Sequence, residues 1–313
     1  MPQLSFHLFG KFSAQRDSQP LKGLDACKDQ QLLSFLLIRR DRHHSREAVA
    51  SMFWGDQSTE RSKKYLRQSL WHLQAALGSP ENGQSNCLLI DHDWLRVNPC
   101  HHAWCDVEEF EKACNAAQGV SPTQLSEEQA RQLKDAVALY RDDLLTGWYQ
   151  DWVLFERERL QNEYLLLLDK LITYSELHHE YEQSQTYAGD ILRYDPARER
   201  THRQLMRLYY LSGDRTAALR QYERCVAALR RELGVKPERR TIDLHEQIKS
   251  DQLQPANLSD PNPSVTLTAI SEPVDLTGCL KQIQAMLSAV QQRIQRDLGA
   301  IEVQPPTSRK NSN

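Results

Sequence analysis

Ser58-Thr59-Glu60-Arg61-Ser62-Lys63-Lys64-Tyr65-Leu66-Arg67-Gln68-Ser69-Leu70-Trp71-His72-Leu73-Gln74-Ala75-Ala76-Leu77-Gly78 reads as a helix with two opposed faces. Leu66, Leu70, Leu73 and Leu77 recur at spacings of four, three and four, which gathers them into one stripe. The opposite face presents Arg61, Lys64, Arg67, Gln68, Trp71 and His72. Ser58 or Thr59 can cap its start, and Gly78 is a C-terminal stop. A polar turn over 79–84 leads to Cys87-Leu88-Leu89-Ile90-Asp91-His92-Asp93-Trp94-Leu95-Arg96-Val97, two short apolar runs around an Asp-His-Asp turn. Taken alone, the helix also fits a surface helix whose charges face water, so its neighbours decide.

Upstream, residues 29–40 read as a helix with a broad apolar face, and residues 45–55 as a shorter helix from a Ser45 cap to Gly55. Leu4-Ser5-Phe6-His7-Leu8 alternates as a strand does, with Phe9-Gly10-Lys11-Phe12 read as its extension. Three helices and a hairpin are enough for a trihelical core with a wing, the framework that brings one helix to duplex DNA. The major groove is about 12 Å wide and admits one α-helix. Arg61, Lys64, Arg67, Gln68 and His72 are the expected base-edge donors, because Arg reaches guanine and Gln reaches adenine at two points each. Lys63 and Arg96 fit phosphate better, as do Arg39, Arg40 and Arg42 near the helix junctions. Trp71 lies between the faces, where packing on the preceding helix and contact with base or sugar both remain open. Asp91 and Asp93 are unfavourable near phosphates, so Arg96 on the return strand is the preferred wing contact.

The order of sheet, helix, Ser-Arg-Glu helix ending in Phe53-Trp54-Gly55, then Tyr65-Leu66-Arg67-Gln68-Ser69-Leu70-Trp71-His72-Leu73 and wing, resembles the OmpR-type winged helix. In particular it resembles the version found in the SARP activators of antibiotic pathways. The stretch 138–160, with Arg141-Asp142-Asp143-Leu144-Leu145-Thr146-Gly147-Trp148 and Trp152-Val153-Leu154-Phe155-Glu156-Arg157, is similar to the hallmark of the bacterial transcriptional activator domain, which in that family follows such a winged helix. The resemblance covers about residues 1–250. It implies direct-repeat operators in double-stranded DNA and contact with RNA polymerase.

The fold class expected is mainly α: an OmpR-like winged helix over 1–100, then a helical domain of tetratricopeptide (TPR) type over 101–250. Leu171–Leu177 aligns with Leu205–Leu211 at an offset of 34 residues, the tetratricopeptide period, and Ser184 and Ile191 fall on Ala218 and Cys225. The turns of the two units are His178-His179-Glu180 and Ser212-Gly213-Asp214, and Pro196 and Pro237 follow their second helices. Helices over 107–117, 127–145 and 151–170, with 238–249 as a terminal cap, would complete the stack. Such a stack offers a concave docking surface; buttressing the winged helix and mediating dimer contacts is the alternative. Residues 251–279 suit a flexible linker. In 280–302, Leu280, Ile283, Leu287, Val290 and Ile294 fall on a heptad grid that Ile301 continues, the pattern of a short coiled coil and hence of a homodimer or higher oligomer. An amphipathic helix folding back is the other reading of 280–302, and 303–313 read as disordered.

Composition bounds the function. Net charge is −3, yet residues 1–100 hold 13 Lys and Arg against 10 acidic residues while the remainder holds 26 against 32. The seven cysteines, an odd number, suit reduced thiols in a cytoplasm. The absence of a long apolar run argues against a membrane span. Cys100-His101-His102-Ala103-Trp104-Cys105 gathers four candidate zinc ligands, but C-x4-C is loose spacing and no second ligand pair follows, so no metal is expected. His43-His44 and His178-His179 read as exposed pairs in turns. No phosphate-cradling glycine loop is present and the carboxylates show no pocket signature, so neither cofactor nor catalysis is expected. The expectation is a cytoplasmic, sequence-specific transcriptional activator. The rival is a repeat and coiled-coil scaffold with a degenerate winged helix, favoured by the weak positive charge and the acidic wing.

Overall fold

The computed structural model describes residues 4–78, 86–99 and 103–253. The linker over 254–279, the heptad helix over 280–302 and the tail lie outside the described residues, as do Cys100, His101 and His102. Residues through Leu253 form one compact unit.

The chain begins with three antiparallel strands, β1 (Leu4–His7), β2 (Ser13–Arg16) and β3 (Gln19–Pro20). Phe9–Phe12 does not extend β1. Gly10 takes φ +89, and the chain turns there into β2. Helix α1 (Cys27–Ile38) buries almost its whole length, β4 (His44–Ser45) is a two-residue strand, and α2 (Arg46–Trp54) starts under the Ser45 hydroxyl, which accepts the Ala48 N–H. Helix α3 (Thr59–Leu77) follows, anchored where Ser62 Oγ donates to the Trp54 carbonyl at 2.7 Å. Its leucine stripe is buried as the periodicity requires, at 1, 3, 0 and 7 % exposure for Leu66, Leu70, Leu73 and Leu77. Gly78 ends it at φ +86, a conformation costly for any residue with a Cβ. The wing is β5 (Leu88–Ile90) and β6 (Trp94–Val97), with β4 on the other edge of β6. His43-His44 is therefore not simply an exposed turn pair. His44 is half-buried in this sheet, 5.1 Å from the Phe35 ring, with Nε2 on the Arg39 carbonyl at 3.0 Å.

The second half interlocks with this layer. Strand β7 (Trp104–Cys105) pairs in parallel with β1, placing Ser5 opposite Trp104 and Phe6 opposite Cys105. Helix α4 (Asp106–Ala117) starts at once, and Asp106, 3 % exposed, accepts the backbone N–H groups of Leu8, Phe9 and Val107. Helix α5 (Glu127–Leu139) carries a Ser126/Gln129 capping box. It stops at Leu139 rather than running to 145, because residues 143–146 cross to the N-terminal strands. Gly10 N–H donates to the Asp143 carbonyl, Leu145 N–H to Leu8, and Thr146 N–H to Gly10, all at 2.7–2.9 Å. Helix α6 (Asp151–Leu177) then runs 27 residues. Trp152, at its start, packs edge-on against Phe35 and lies 6.3 Å from Phe53, inside the trihelical core. Arg157 closes the corner by donating to the carbonyls of Leu144, Leu145 and Trp148. The hallmark stretch 138–160 is thus the seam between the two halves.

The repeats are α6 with α7 (Tyr181–Tyr194), and α8 (Glu199–Leu211) with α9 (Arg215–Glu232); α10 (Arg239–Lys249) ends the stack. The 34-residue offset holds bond by bond at the turns. His179 N–H donates to Glu176 and Glu180 N–H to Ser175, and the same bonds recur from Gly213 to Tyr210 and from Asp214 to Tyr209. Ser184, Ile191, Ala218 and Cys225 are all fully buried, where paired helices approach most closely.

Candidate nucleic-acid interface

With its leucine stripe committed to the core, α3 turns Arg61, Lys63, Lys64, Tyr65, Arg67, Gln68 and Trp71 outward. Arg61, Lys64, Arg67 and Gln68 make no side-chain hydrogen bond or ion pair among the described residues. Arg61, Lys64, Gln68 and Trp71 follow one another at helical spacing, so three polar groups and an indole share a stripe. Trp71 is 66 % exposed, with its ring 5.5 Å from that of His72. Lys63 Nζ reaches Glu47 Oε1 on α2 at 2.9 Å, with both side chains more than half exposed; such surface pairs hold a lysine weakly.

Two groups of residues behave differently from what the sequence suggests. His72 Nδ1 bonds the buried carboxylate of Asp29 on α1 at 2.9 Å, so its ring braces α3 against α1 rather than standing free on the outer face. Arg39 and Arg40 do not face outward as phosphate contacts. Arg39 pairs with Glu156 at 3.1 Å and Arg40 with Glu111 at 2.9 Å, while Arg159 bonds Glu156, Glu111 and Glu163. These alternating charges clamp the end of α1 to α4 and α6. Arg42 is exposed, and Arg96 is half-buried on β6 opposite Leu89.

The start of α2, the first half of α3 and the wing tip enclose an open groove of about 1060 Å³. Its walls include Lys64, Arg67 and Lys63 on one side, and Asp93 and Trp94 on the other. Arg46 fixes its far end: its guanidinium donates to the Asp91 carbonyl and its backbone N–H to the Asp93 carbonyl, both at 2.9 Å. Sequence reasoning missed Arg46 and Trp94 as parts of this surface. The signal was faint: a cation just after a helix cap, and an aromatic at a hairpin turn. His92 Nδ1 bonds Asp93 at 2.7 Å on an exposed tip, so one wing carboxylate is partly occupied.

No group of three potential metal ligands comes together among the described residues. Burial pushes the Cys87 and Cys105 thiols up to about 12, Cys105 also feeling the Asp106 carboxylate beside it. Among the described residues no helix is long and apolar enough to cross a membrane.

The architecture is a winged helix clamped onto a helical-repeat block. Residues 105–249 match the bacterial transcriptional activator domain, and a winged helix followed by helical repeats resembles the SARP-type activators; these matches support a transcription regulator. The chain is similar to the transcriptional regulatory protein MoaR1 of Mycobacterium tuberculosis, 24 % identical over 217 residues that cover 68 % of this chain and 69 % of that one. The Mycobacterium bovis MoaR1 matches with the same identity and coverage. Among solved structures it resembles Mycobacterium tuberculosis EmbR, determined in complex with a low-affinity phosphopeptide. That match has a TM-score of 0.66 and 21 % identity over 82 % of this chain and 67 % of that one, a likeness of fold.

Proposed function

We propose that the chain is a cytoplasmic activator that reads double-stranded DNA with α3 and engages RNA polymerase through its helical repeats, as a homodimer or higher oligomer. The observation that carries this reading is the outward set of Arg61, Lys64, Arg67 and Gln68, which find no partner among the described residues on a helix whose opposite face is fully buried. Four extended polar side chains cost conformational entropy to order, and an external polyanion supplies the missing bonds. In this reading Arg61, Lys64, Arg67 and Gln68 meet base edges, Trp71 packs on sugar or base, and Lys63, Arg42, Arg46 and Arg96 meet phosphate. His72 is removed from the base-reading set, since it is held by Asp29.

Selection of purified protein against random duplex DNA at near-physiological salt tests the proposal. The expected result is an enriched motif, repeated at about one helical turn if subunits bind side by side. Lys64→Ala with Arg67→Ala should weaken binding to that motif by about 2–6 kcal/mol, given about 1–3 kcal/mol per good base contact. Unchanged affinity in a folded double variant would sink the assignment. A flat salt dependence would instead favour the protein-interaction scaffold.

A further inference from the structure

The basic charge of this chain is not confined to α3. Residues 193–240 hold 13 Lys and Arg against 6 acidic residues, a steeper excess than in the first hundred residues. Several of these cations are structural: Arg198 pairs with Asp169, Arg203 with Glu238, and Arg215 donates to the Ile248 carbonyl at the end of α10. Others remain outward. Arg220, Arg224 and Arg231 recur on α9 at spacings of four and seven, all exposed. Among the described residues, the hydrogen bonding of Arg224 is a 3.4 Å contact with Gln221 Oε1, and Arg231 pairs with its exposed neighbour Glu232.

Arg224 and Arg231 stand on the rim of a cleft of about 440 Å³ formed by α7, α8 and α9. Its lining is mixed: Leu192, Leu205, Tyr209, Ala227 and Ala228 supply the apolar part, and Gln185, His202 and Gln221 the polar part. A Cβ added at Gly189 would meet nothing within 4 Å, so the glycine leaves open space on the α7 wall. His202 underlies the cleft with both ring nitrogens engaged, on the Pro196 carbonyl and the Gln221 amide, so the floor is rigid. A partly apolar trough of side-chain size with two guanidinium groups about 10 Å apart along a helix matches one chemistry. That chemistry is a chain whose apolar side chain enters the trough while carboxylates on either side meet the two arginines.

We propose that the α7–α9 cleft is a docking site for an acidic peptide segment of a partner protein. The proposal rests on the reading of the repeats as a docking platform and adds the place and the charge of what docks. A DNA duplex, whose major groove alone is about 12 Å wide, is too wide to enter the trough and could meet only its rim, so the apolar side chains of Leu192, Leu205 and Tyr209 in the trough speak for peptide.

The test uses the full chain and a short fluorescein-labelled peptide of alternating leucine and acidic residues, followed by fluorescence anisotropy at near-physiological salt without DNA. The wild-type chain should bind it. Arg224→Glu with Arg231→Glu should weaken binding by about tenfold or more, since two attractive charges become repulsive toward the acidic peptide. Gly189→Leu should also weaken it by filling the trough, on a helical backbone that accepts a side chain. Failure of the wild-type chain to bind would overturn the proposal. So would equal binding of the matching asparagine and glutamine peptide, full binding by the Gly189→Leu chain, or displacement of the peptide by non-specific duplex, which would make the rim a phosphate contact. Operator binding by the same variants should be unchanged, which separates failure of this cleft from failure of the DNA-reading proposal.

Discussion

Asp106 Oδ2 accepts the backbone N–H of Leu8 at 2.8 Å, across 98 residues of sequence, with the carboxylate almost fully buried. Leu8 directly follows the first strand of the winged-helix half, and Asp106 begins the first helix after the winged helix. The carboxylate also takes Phe9 and Val107 N–H groups, so three orphan donors converge on one charge. Burial still holds its carboxyl above the ordinary range, the backbone bonds only partly offsetting that cost. Removing the acceptor strands those donors, so Asp106→Ala should destabilise the chain by about 3 kcal/mol, and Asp106→Asn, which keeps one oxygen, by less. Urea unfolding followed by tryptophan emission measures both; equal, negligible losses would show the seam does not depend on this carboxylate.

Arg39 and Glu156 make a second link across the same seam, at 3.1 Å with Glu156 largely buried. Arg39→Ala should lower stability by about 1–3 kcal/mol and leave the salt dependence of DNA binding unchanged. A shallower salt slope in that variant would return Arg39 to the DNA surface.

Burial pulls the His202 imidazole below its ordinary 6.5, and pulls His44 down in the same way. A base whose folded-state pKa is depressed contributes stability that is present above about pH 6.5 and lost as pH falls through the lower folded value. The neutral ring with its proton on Nε2 donates to the Pro196 carbonyl and accepts from Gln221, an arrangement that protonation of Nδ1 breaks. The melting temperature should therefore fall as pH drops from about 7 to about 5, and His202→Gln should flatten that slope. An unaltered slope would remove His202 from the account.

His179 and Gly213 occupy equivalent turn positions, 34 residues apart, at φ +60 and +84. The left-handed conformation costs a residue with a Cβ about 1–2 kcal/mol. His179→Gly should be neutral to stabilising by up to about 1 kcal/mol, and Gly213→Ala destabilising by about that much. Thermal melts compare the two, and a clear loss in His179→Gly would mean that the His179 bond to the Tyr181 hydroxyl outweighs the strain.

Cys27 is exposed, while Cys87, Cys105 and Cys225 are buried with thiols pushed up to about 12 by desolvation. A maleimide or disulfide reagent at neutral pH should label Cys27 first among the cysteines of the described residues, as read by peptide mass analysis. Rapid labelling of Cys225 would indicate that the repeats open readily.

The elements themselves were legible because each carries its own period. The leucine stripe of 66, 70, 73 and 77 requires a helix with one buried face, and the 34-residue offset requires two alike hairpins of helices. The outward set Arg61, Lys64, Arg67 and Gln68 follows from that stripe by geometry alone, since what opposes a buried face must face out. The seam was not legible. Whether Arg39 meets phosphate or Glu156, or His72 meets a base or Asp29, depends on partners 117 and 43 residues away. The same limit ended α5 at Leu139: local pattern continues a helix to 145, but Leu144 and Leu145 are pulled out to cover the first strands, where they are fully buried. Periodicity is a property of neighbouring residues and fixes which face of an element is apolar. Charge pairing and strand crossing are settled only when distant segments compete for the same buried space, and that competition is decided by the tertiary structure.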